Sequence, residues 1–227
     1  IDSTDQPGIV RPAITTLVDE DASDAKVTPT GGSVATKLED IVARVIYATD
    51  YGALGATAAT NNTTLTAAIG AANGNSGGEV IIPDGTYAFT SLTVSAGVVL
   101  RGQGRGVTTL QCQTGANCIT LGGDKAGLAS LTLDGVNNVA SSGGVFAKGQ
   151  DETVFDDVEV KRFVTGIQFK GGRRAKWRDF YIDACGTGAK LHGDVNAAGG
   201  SDGDQFRGNE WSGGKVSLCT TTGVELS

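Results

Sequence analysis

The sequence predicts an all-β chain whose short strands coil into a parallel β-helix, with one short capping helix near its start and an extended leader before it. Three observations predict this. Glycine supplies 35 of 227 residues, aromatics only 6%, and proline 4 positions, a balance that favours many tight turns and thin strands over a helical bundle. Short runs with alternate residues apolar recur after residue 45, separated by Gly or Asn turns. The runs also repeat in register. Phe155, Val158 and Val160, followed by Gly166, Ile167 and Phe169, superimpose without a gap on Trp177, Phe180 and Ile182, followed by Gly188, Ala189 and Leu191, at a spacing of 22 residues.

Leu128, Leu131 and Leu133 with Gly144 and Val145 form an earlier copy at a spacing of 27, and Trp211 and Val216 with Gly223 and Val224 a later one at 34. Each copy is one coil, and the extra residues belong in loops. Leucine-rich repeats have a similar period but need a Leu/Asn ladder that is missing here. A sandwich would show regularly spaced hairpin turns instead of copies in register.

In chain order, residues 1–46 hold three of the four prolines, the acidic Asp19, Glu20 and Asp21, and a turn at Pro29 to Gly32. A helical pattern follows at Leu38, Ile41, Val42 and Val45. Such a segment builds no core of its own, so it is expected to lie on a partner or on copies of itself; a disordered leader is the alternative. Residues 45–49 and 80–82 read as strands, and residues 63–72 between them as a helix that starts at Thr63 and ends at Asn73 and Gly74. Pro83, Asp84 and Gly85 make a turn. Gly102, Gln103 and Gly104 resemble a phosphate loop, but no Lys-Ser/Thr follows and they read as a turn.

Lys and Arg total 18 against 25 Asp and Glu, a formal charge of -7, which argues against a nucleic-acid partner that needs its phosphates neutralised. No run reaches the roughly 20 apolar residues of a membrane helix, so no membrane insertion is expected. The single His192 and the absence of close Cys pairs argue against zinc, and no metal or cofactor is expected. Cys112, Cys118, Cys185 and Cys219 read as buried, reduced thiols, with a Cys112–Cys118 disulfide as the alternative. The chain lacks Met and stops inside a coil whose core face needs a successor. It is therefore expected to be part of a longer protein.

Asp50, Tyr51, Gly52, Ala53, Leu54 and Gly55, then Thr63, Ala67, Ala68 and Ile69, then residues 78–87, 100–104 and 108–110 resemble the opening of the pectate-lyase-like right-handed β-helix family found in bacteriophage tailspikes. The chain departs from that family where Ala56, Thr57, Asn61 and Asn62 stand in place of its Asp-Gly and Asp-Asp, so those carboxylates are missing. Residues 6–13 and 24–29 are similar to a repeat of phage tail fibres. The resemblance implies a leader over residues 1–46 that attaches to other tail or baseplate proteins of the virion, followed by a β-helix over 47–227. It also implies a homotrimer, assembled in the host cytoplasm, whose body contacts and often cleaves bacterial surface polysaccharide. A non-catalytic structural fibre or adaptor is the competing reading.

Stacking the copies places outward residues in columns about 4.8 Å apart. One column reads Thr132, Glu159, Tyr181, Lys215; the next reads Asp134, Lys161, Asp183, Ser217; and Asp157 lies above Asp179. Glycoside hydrolysis needs two carboxyl groups about 5–5.5 Å apart for retention or about 6.5–9.5 Å for inversion. Asp157 with Asp179 fits the shorter range, and Glu159 with Asp183 the longer, which makes these four the candidate catalytic residues. A solvated sheet face has the same composition. Tyr181, Lys215, Arg173 and Arg174 are candidate binding residues, the two arginines forming a basic cluster with Lys176 and Arg178 suited to an acidic sugar or to a trimer contact. A long insert holds Asp194, Asp202, Asp204 and Arg207, a weak calcium pattern or a Gly-rich excursion. Phe155, Phe169, Trp177 and Trp211 fall on inward positions.

Overall fold

The computed structural model describes residues 26–27, 36–37, 45–55, 57–113, 117–136, 143–192 and 208–226. The chain divides into two compact units, Ile1–Ile41 and Val42–Ser227. In the first, β1 (Lys26–Val27) pairs antiparallel with β2 (Thr36–Lys37), with Lys26 opposite Lys37. The helical pattern at Leu38, Ile41 and Val42 lies outside the described residues, as do Asp194, Asp202, Asp204 and Arg207 of the insert.

The second unit is a parallel β-solenoid. Each full coil contributes to three sheet faces. The first face runs from β3 (Val45–Tyr47) through β4 (Gly78–Ile81), β7 (Val98–Arg101), the start of β10 (Gly127–Asp134), the start of β12 (Val154–Lys161) and β14 (Lys176–Arg178) to β17 (Glu210–Ser212). The second stacks β5 (Gly85–Phe89), β8 (Thr108–Cys112), the ends of β10 and β12, β15 (Tyr181–Asp183) and β18 (Lys215–Ser217). The third stacks β6 (Leu92–Val94), β9 (Asn117–Leu121), β11 (Gly143–Lys148), β13 (Thr165–Lys170), β16 (Thr187–His192) and β19 (Thr222–Leu226). The ladders of this solenoid are parallel, and the repeat spacings read from the sequence are their registers: Leu128 pairs with Phe155, Phe155 with Trp177, and Trp177 with Trp211.

Period-two alternation drives every coil, because a strand with one face on the core buries every second side chain. On the first face the inward column is Ile46, Val80, Leu100, Leu128, Phe155 and Trp177, all buried. Phe155 meets the edge of Trp177 at 4.8 Å between centroids, and Phe169 approaches it from the third face at 5.3 Å. Burial of such side chains stabilises by about 1.5–3 kcal/mol each.

The corners have their own code. Between the third and first faces, Gly97, Lys125, Glu152, Arg174 and Gly208 stack one per coil, every one with φ between 58° and 70°. Between the first and second faces the same role falls to Ser130, Asp157, Asp179 and Gly213, and between the second and third to Arg162, Ala184 and Leu218. One left-handed residue per coil turns the chain at each of these corners, a conformation that costs a non-glycine residue about 1–2 kcal/mol. Gly213 shows why no side chain follows at its position: with φ of 63°, an added Cβ would lie 2.1 Å from Oδ1 of Asp179.

Helix α1 (Ala58–Gly74) covers one end of the stack with Leu65, Ala68, Ile69 and Ala72 buried. It begins earlier than the sequence predicts. Thr57 is the N-cap and its hydroxyl accepts the Thr60 N–H at 3.1 Å, so the turn before Thr63 is already helical. Asn61 and Asn62 then stitch the helix to the first coil. Asn61 Nδ2 donates to Ala88 O at 2.7 Å, while Asn62 accepts from Thr90 N and donates to Ser91 O. A carboxylate accepts only, so neither donation survives in the Asp-Asp form.

The thiols differ from the first expectation. Cys112 and Cys118 are joined in a disulfide, the alternative reading; they close the last residue of β8 to the second of β9, with Cα atoms 5.9 Å apart, inside the range a disulfide spans. Cys185 is free and buried, and Cys219 is free and half-buried.

Candidate functional site

The second face brings together the columns expected from the sequence. Thr132, Glu159, Tyr181 and Lys215 are in register, and so are Asp134, Lys161, Asp183 and Ser217. Their side chains are already engaged with one another. Glu159 accepts from the Thr132 hydroxyl at 2.9 Å and from Lys161 Nζ at 3.1 Å. Asp134, nearly buried, is held by a bidentate pair with Arg162 that keeps the guanidinium firmly protonated. Ser217 donates to Asp183 at 2.7 Å and shares a 2.8 Å hydrogen bond with the Tyr181 hydroxyl. Lys215 lies over the Tyr181 ring, 5.4 Å from its centroid.

Asp157 and Asp179 sit on adjacent coils as expected, but as corner residues with φ of 57° and 50°. Aspartate tolerates this conformation better than most residues, which gives both a structural reason to be there. Asp157 is further bound in an ion pair with Arg105, reaching from the turn between β7 and β8, two coils away.

The basic cluster is brought to the corner between the third and first faces. Arg173 donates to Asp151 from its backbone N at 2.8 Å and pairs with it through Nε at 3.3 Å. Arg174 pairs with Glu152 at 2.9 Å, and Arg178 with Asp156 at 3.1 Å. Beside them, a cleft of about 450 Å³ is lined by Lys125, Glu152, Val154, Arg174 and Lys176. A second depression of about 360 Å³ shares Lys125 and extends past Val99, Gly97 and Glu79 to the end of the capping helix at Asn75. The two adjoin at Lys125.

The sequence reading found Arg174 and Lys176 but missed Lys125 and Glu152. The signal was present, since Lys125, Glu152 and Arg174 follow the same 27- and 22-residue spacings as the strands. It was hidden because residues with long side chains carry no mark of a left-handed corner. Among the described residues no group of three or more His, Cys, Asp and Glu side chains converges as metal ligands do, and no helix is long and apolar enough to cross a membrane.

No protein-family description matches the chain, and no curated protein sequence does. Solved structures do match. The chain is similar to the A-module of a mannuronan C-5 epimerase of Azotobacter vinelandii, with 21% identity over 74% of this chain and 58% of that one and a TM-score of 0.56. It is similar to ORF18 of Geobacillus virus E2, with 19% identity over 79% of this chain and 41% of the other and a TM-score of 0.60. The Dettilon tailspike protein matches at 14% identity over 81% and 41%, with a TM-score of 0.52. The chain thus spans less than two thirds of each of these relatives. At such identities the likeness establishes the solenoid fold.

Proposed function

We propose that the chain is part of a phage tailspike or tail fibre subunit whose solenoid binds host cell-surface polysaccharide. The observation that carries this reading is the pair of adjoining clefts that share Lys125, one lined also by Glu152, Val154, Arg174 and Lys176 and the other by Glu79 and Val99. Clefts with donors, acceptors and apolar side chains suit sugar rings, and a rung spacing of about 4.8 Å sets such groups along the stack. A tailspike protein and the A-module of a mannuronan C-5 epimerase built on the same fold support the reading. In it, residues 1–46 attach to other tail proteins, the subunit is a homotrimer assembled in the host cytoplasm, and Arg173, Arg174, Tyr181 and Lys215 contact glycan.

Binding is favoured over cleavage because Glu159, Asp183 and Asp157 already have protein partners. Cleavage is the second reading, and the observation in its favour is the adjacency of Asp157 and Asp179 on successive coils. Incubation with capsular polysaccharide and lipopolysaccharide, following reducing ends and unsaturated uronic products together, tests both. Retention of a glycan without either product supports the binding reading; reducing ends alone mark a hydrolase and unsaturated products a lyase. Failure to retain the glycans of a host that the phage infects overturns the proposal in favour of a structural fibre or adaptor.

A further inference from the structure

The free thiols Cys185 and Cys219 occupy one and the same place on successive coils. They are 34 residues apart, the offset that sets Ile182 beside Val216 and Asp183 beside Ser217. Each Sγ donates to the carbonyl two residues back, Cys185 to Asp183 O at 3.4 Å and Cys219 to Ser217 O at 3.5 Å. Each also packs against a glycine near the start of the third face. A Cβ added to Gly166 would lie 3.2 Å from Sγ of Cys185, and one added to Gly188 would lie 3.0 Å from Sγ of Cys219. Phe163 stands at the same place on the coil before, with Gly144 against its ring. The column thus reads Phe163, Cys185, Cys219, and its last two members are sulfur.

This equivalence fixes the separation. Thr220 N donates to Cys185 O at 3.0 Å, as Gly186 N donates to Phe163 O at 2.8 Å, so the two cysteines lie on directly bonded rungs. A rung spacing of about 4.8 Å falls inside the Cα range of roughly 4.4–6.8 Å that a disulfide spans. The thiols also sense each other, since Cys219 adds to the upward push that burial gives the Cys185 thiol. Cys185 is buried and Cys219 half-buried, so a reagent from solvent meets Cys219 first. The same body already carries a disulfide at Cys112 and Cys118.

We infer that Cys185 and Cys219 are a second disulfide site, closed by exchange with a small-molecule disulfide such as oxidised glutathione, with Cys219 as the entry thiol and Cys185 as the resolving thiol. The Cys219 thiolate attacks one sulfur of the reagent, and the glutathione S–S bond breaks to give a mixed disulfide on Cys219 and one glutathione thiolate. Cys185 then attacks Sγ of Cys219. The second glutathione leaves with the proton that Cys185 gives up, so two protein thiols are oxidised and one glutathione disulfide is reduced to two thiols. No outside reagent has to reach Cys185. Burial raises both thiols, which makes the exchange quicken as pH rises. The bond would tie the coil that carries Trp211 and Lys215 to the coil before it and close the 34-residue excursion that contains the insert. This site goes beyond the glycan-binding reading and does not depend on it.

The test treats the whole folded chain with oxidised glutathione at pH 7 and pH 8.5, then follows intact mass, the free-thiol count in denaturant, and peptide maps made without reductant. Loss of both free thiols, faster at pH 8.5, with no glutathione retained and one new peptide joining Cys185 to Cys219, supports the inference. Cys185→Ala is expected to stop at a single glutathione adduct on Cys219, and Cys219→Ser to remain unmodified. The urea midpoint rises on oxidation of the parent chain and in neither variant, because only the parent chain gains a cross-link across the insert. Circular dichroism establishes that each variant is folded. An adduct that persists on Cys219 of the parent chain, two thiols left unreacted, or bonds from either cysteine to Cys112, Cys118 or a second chain overturns the inference.

Discussion

Trp177 and Trp211 stack with their ring centroids 4.8 Å apart and their planes 4° from parallel. They are 34 residues apart in the chain, against 22 for Phe155 and Trp177, yet the separation is that of neighbouring strands. The extra residues leave and rejoin the coil without disturbing its register. Trp211 extends the aromatic stack of Phe155, Phe169 and Trp177 that fills the middle of the solenoid.

Trp177→Ala is expected to cost about 3–5 kcal/mol, because the ring is wholly buried among four aromatic neighbours, Phe155, Phe169, Phe180 and Trp211. Trp211→Ala costs less, its ring being partly exposed. Urea unfolding followed by far-ultraviolet dichroism checks the order of the two.

Asp157→Asn and Asp179→Asn are expected to change stability by less than about 0.5 kcal/mol, since asparagine also accepts a left-handed backbone and the Arg105 pair is half-exposed. Asp179→Val, with a branched Cβ at φ of 50°, loses about 1–2 kcal/mol or more. The asparagine variants thus separate chemistry from folding: any glycan cleavage that disappears in them is lost for want of a carboxylate.

Reduction of the Cys112–Cys118 bridge, or the Cys112→Ser/Cys118→Ser variant, is expected to lower stability by about 2 kcal/mol, the entropy of a loop this short in the unfolded chain. The urea midpoint in the presence and absence of reductant measures it.

Burial pushes the Cys185 thiol up to about 11, with the neighbouring Cys219 and Asp183 adding to the shift. The unfolded thiol ionises near its ordinary value, so between about pH 9 and 11 the unfolded state sheds a proton that the folded state keeps. The sign follows: this stabilisation, about 2–3 kcal/mol, is complete below pH 8 and lost as pH rises through that window. Cys185→Ala is expected to flatten that part of the stability profile. In the native protein a thiol reagent should modify Cys219 first and Cys185 only on unfolding.

Arg162→Ala strands the Asp134 carboxylate, of which 4% is exposed, and is expected to cost about 1–3 kcal/mol at neutral pH, less than a wholly buried pair because Arg162 itself reaches water. Arg162→Ala/Asp134→Asn recovers part of the loss, and thermal unfolding of the single and double variants measures the coupling.

The parts of the fold legible in the sequence were those set by period and size. The 22-, 27- and 34-residue spacings are the observed registers, and Phe155, Phe169 and Trp177 lie inside because only an interior accommodates an aromatic at the same place in each coil. The outward columns of the second face followed from the same arithmetic. What the pattern did not carry was the state of each side chain. Asp134, Glu159 and Asp183 read as outward members of a carboxylate-rich face, and it takes coordinates to see Arg162, Lys161 and Ser217 reaching them. The corners were hidden for a different reason: Lys125, Glu152 and Arg162 hold left-handed backbones against their own preference, a tertiary demand that overrides local propensity. The helix start was misplaced because Thr57, Thr60 and Thr63 are equally good caps on sequence, and the hydrogen bond to Thr57 decides among them.

Each coil touches chiefly its immediate neighbours, so the sequence separation of most contacts in the body is set by the length of one coil and not by the length of the chain. The entropy of closing a loop is met once per coil and never grows, which allows folding to advance like a zipper from any pair of coils already joined. The segment with the largest hurdle is the coil that includes the insert, because 34 residues must close before Trp211 reaches Trp177. Refolding is therefore expected to end at that step, with Trp211 fluorescence the last signal to settle.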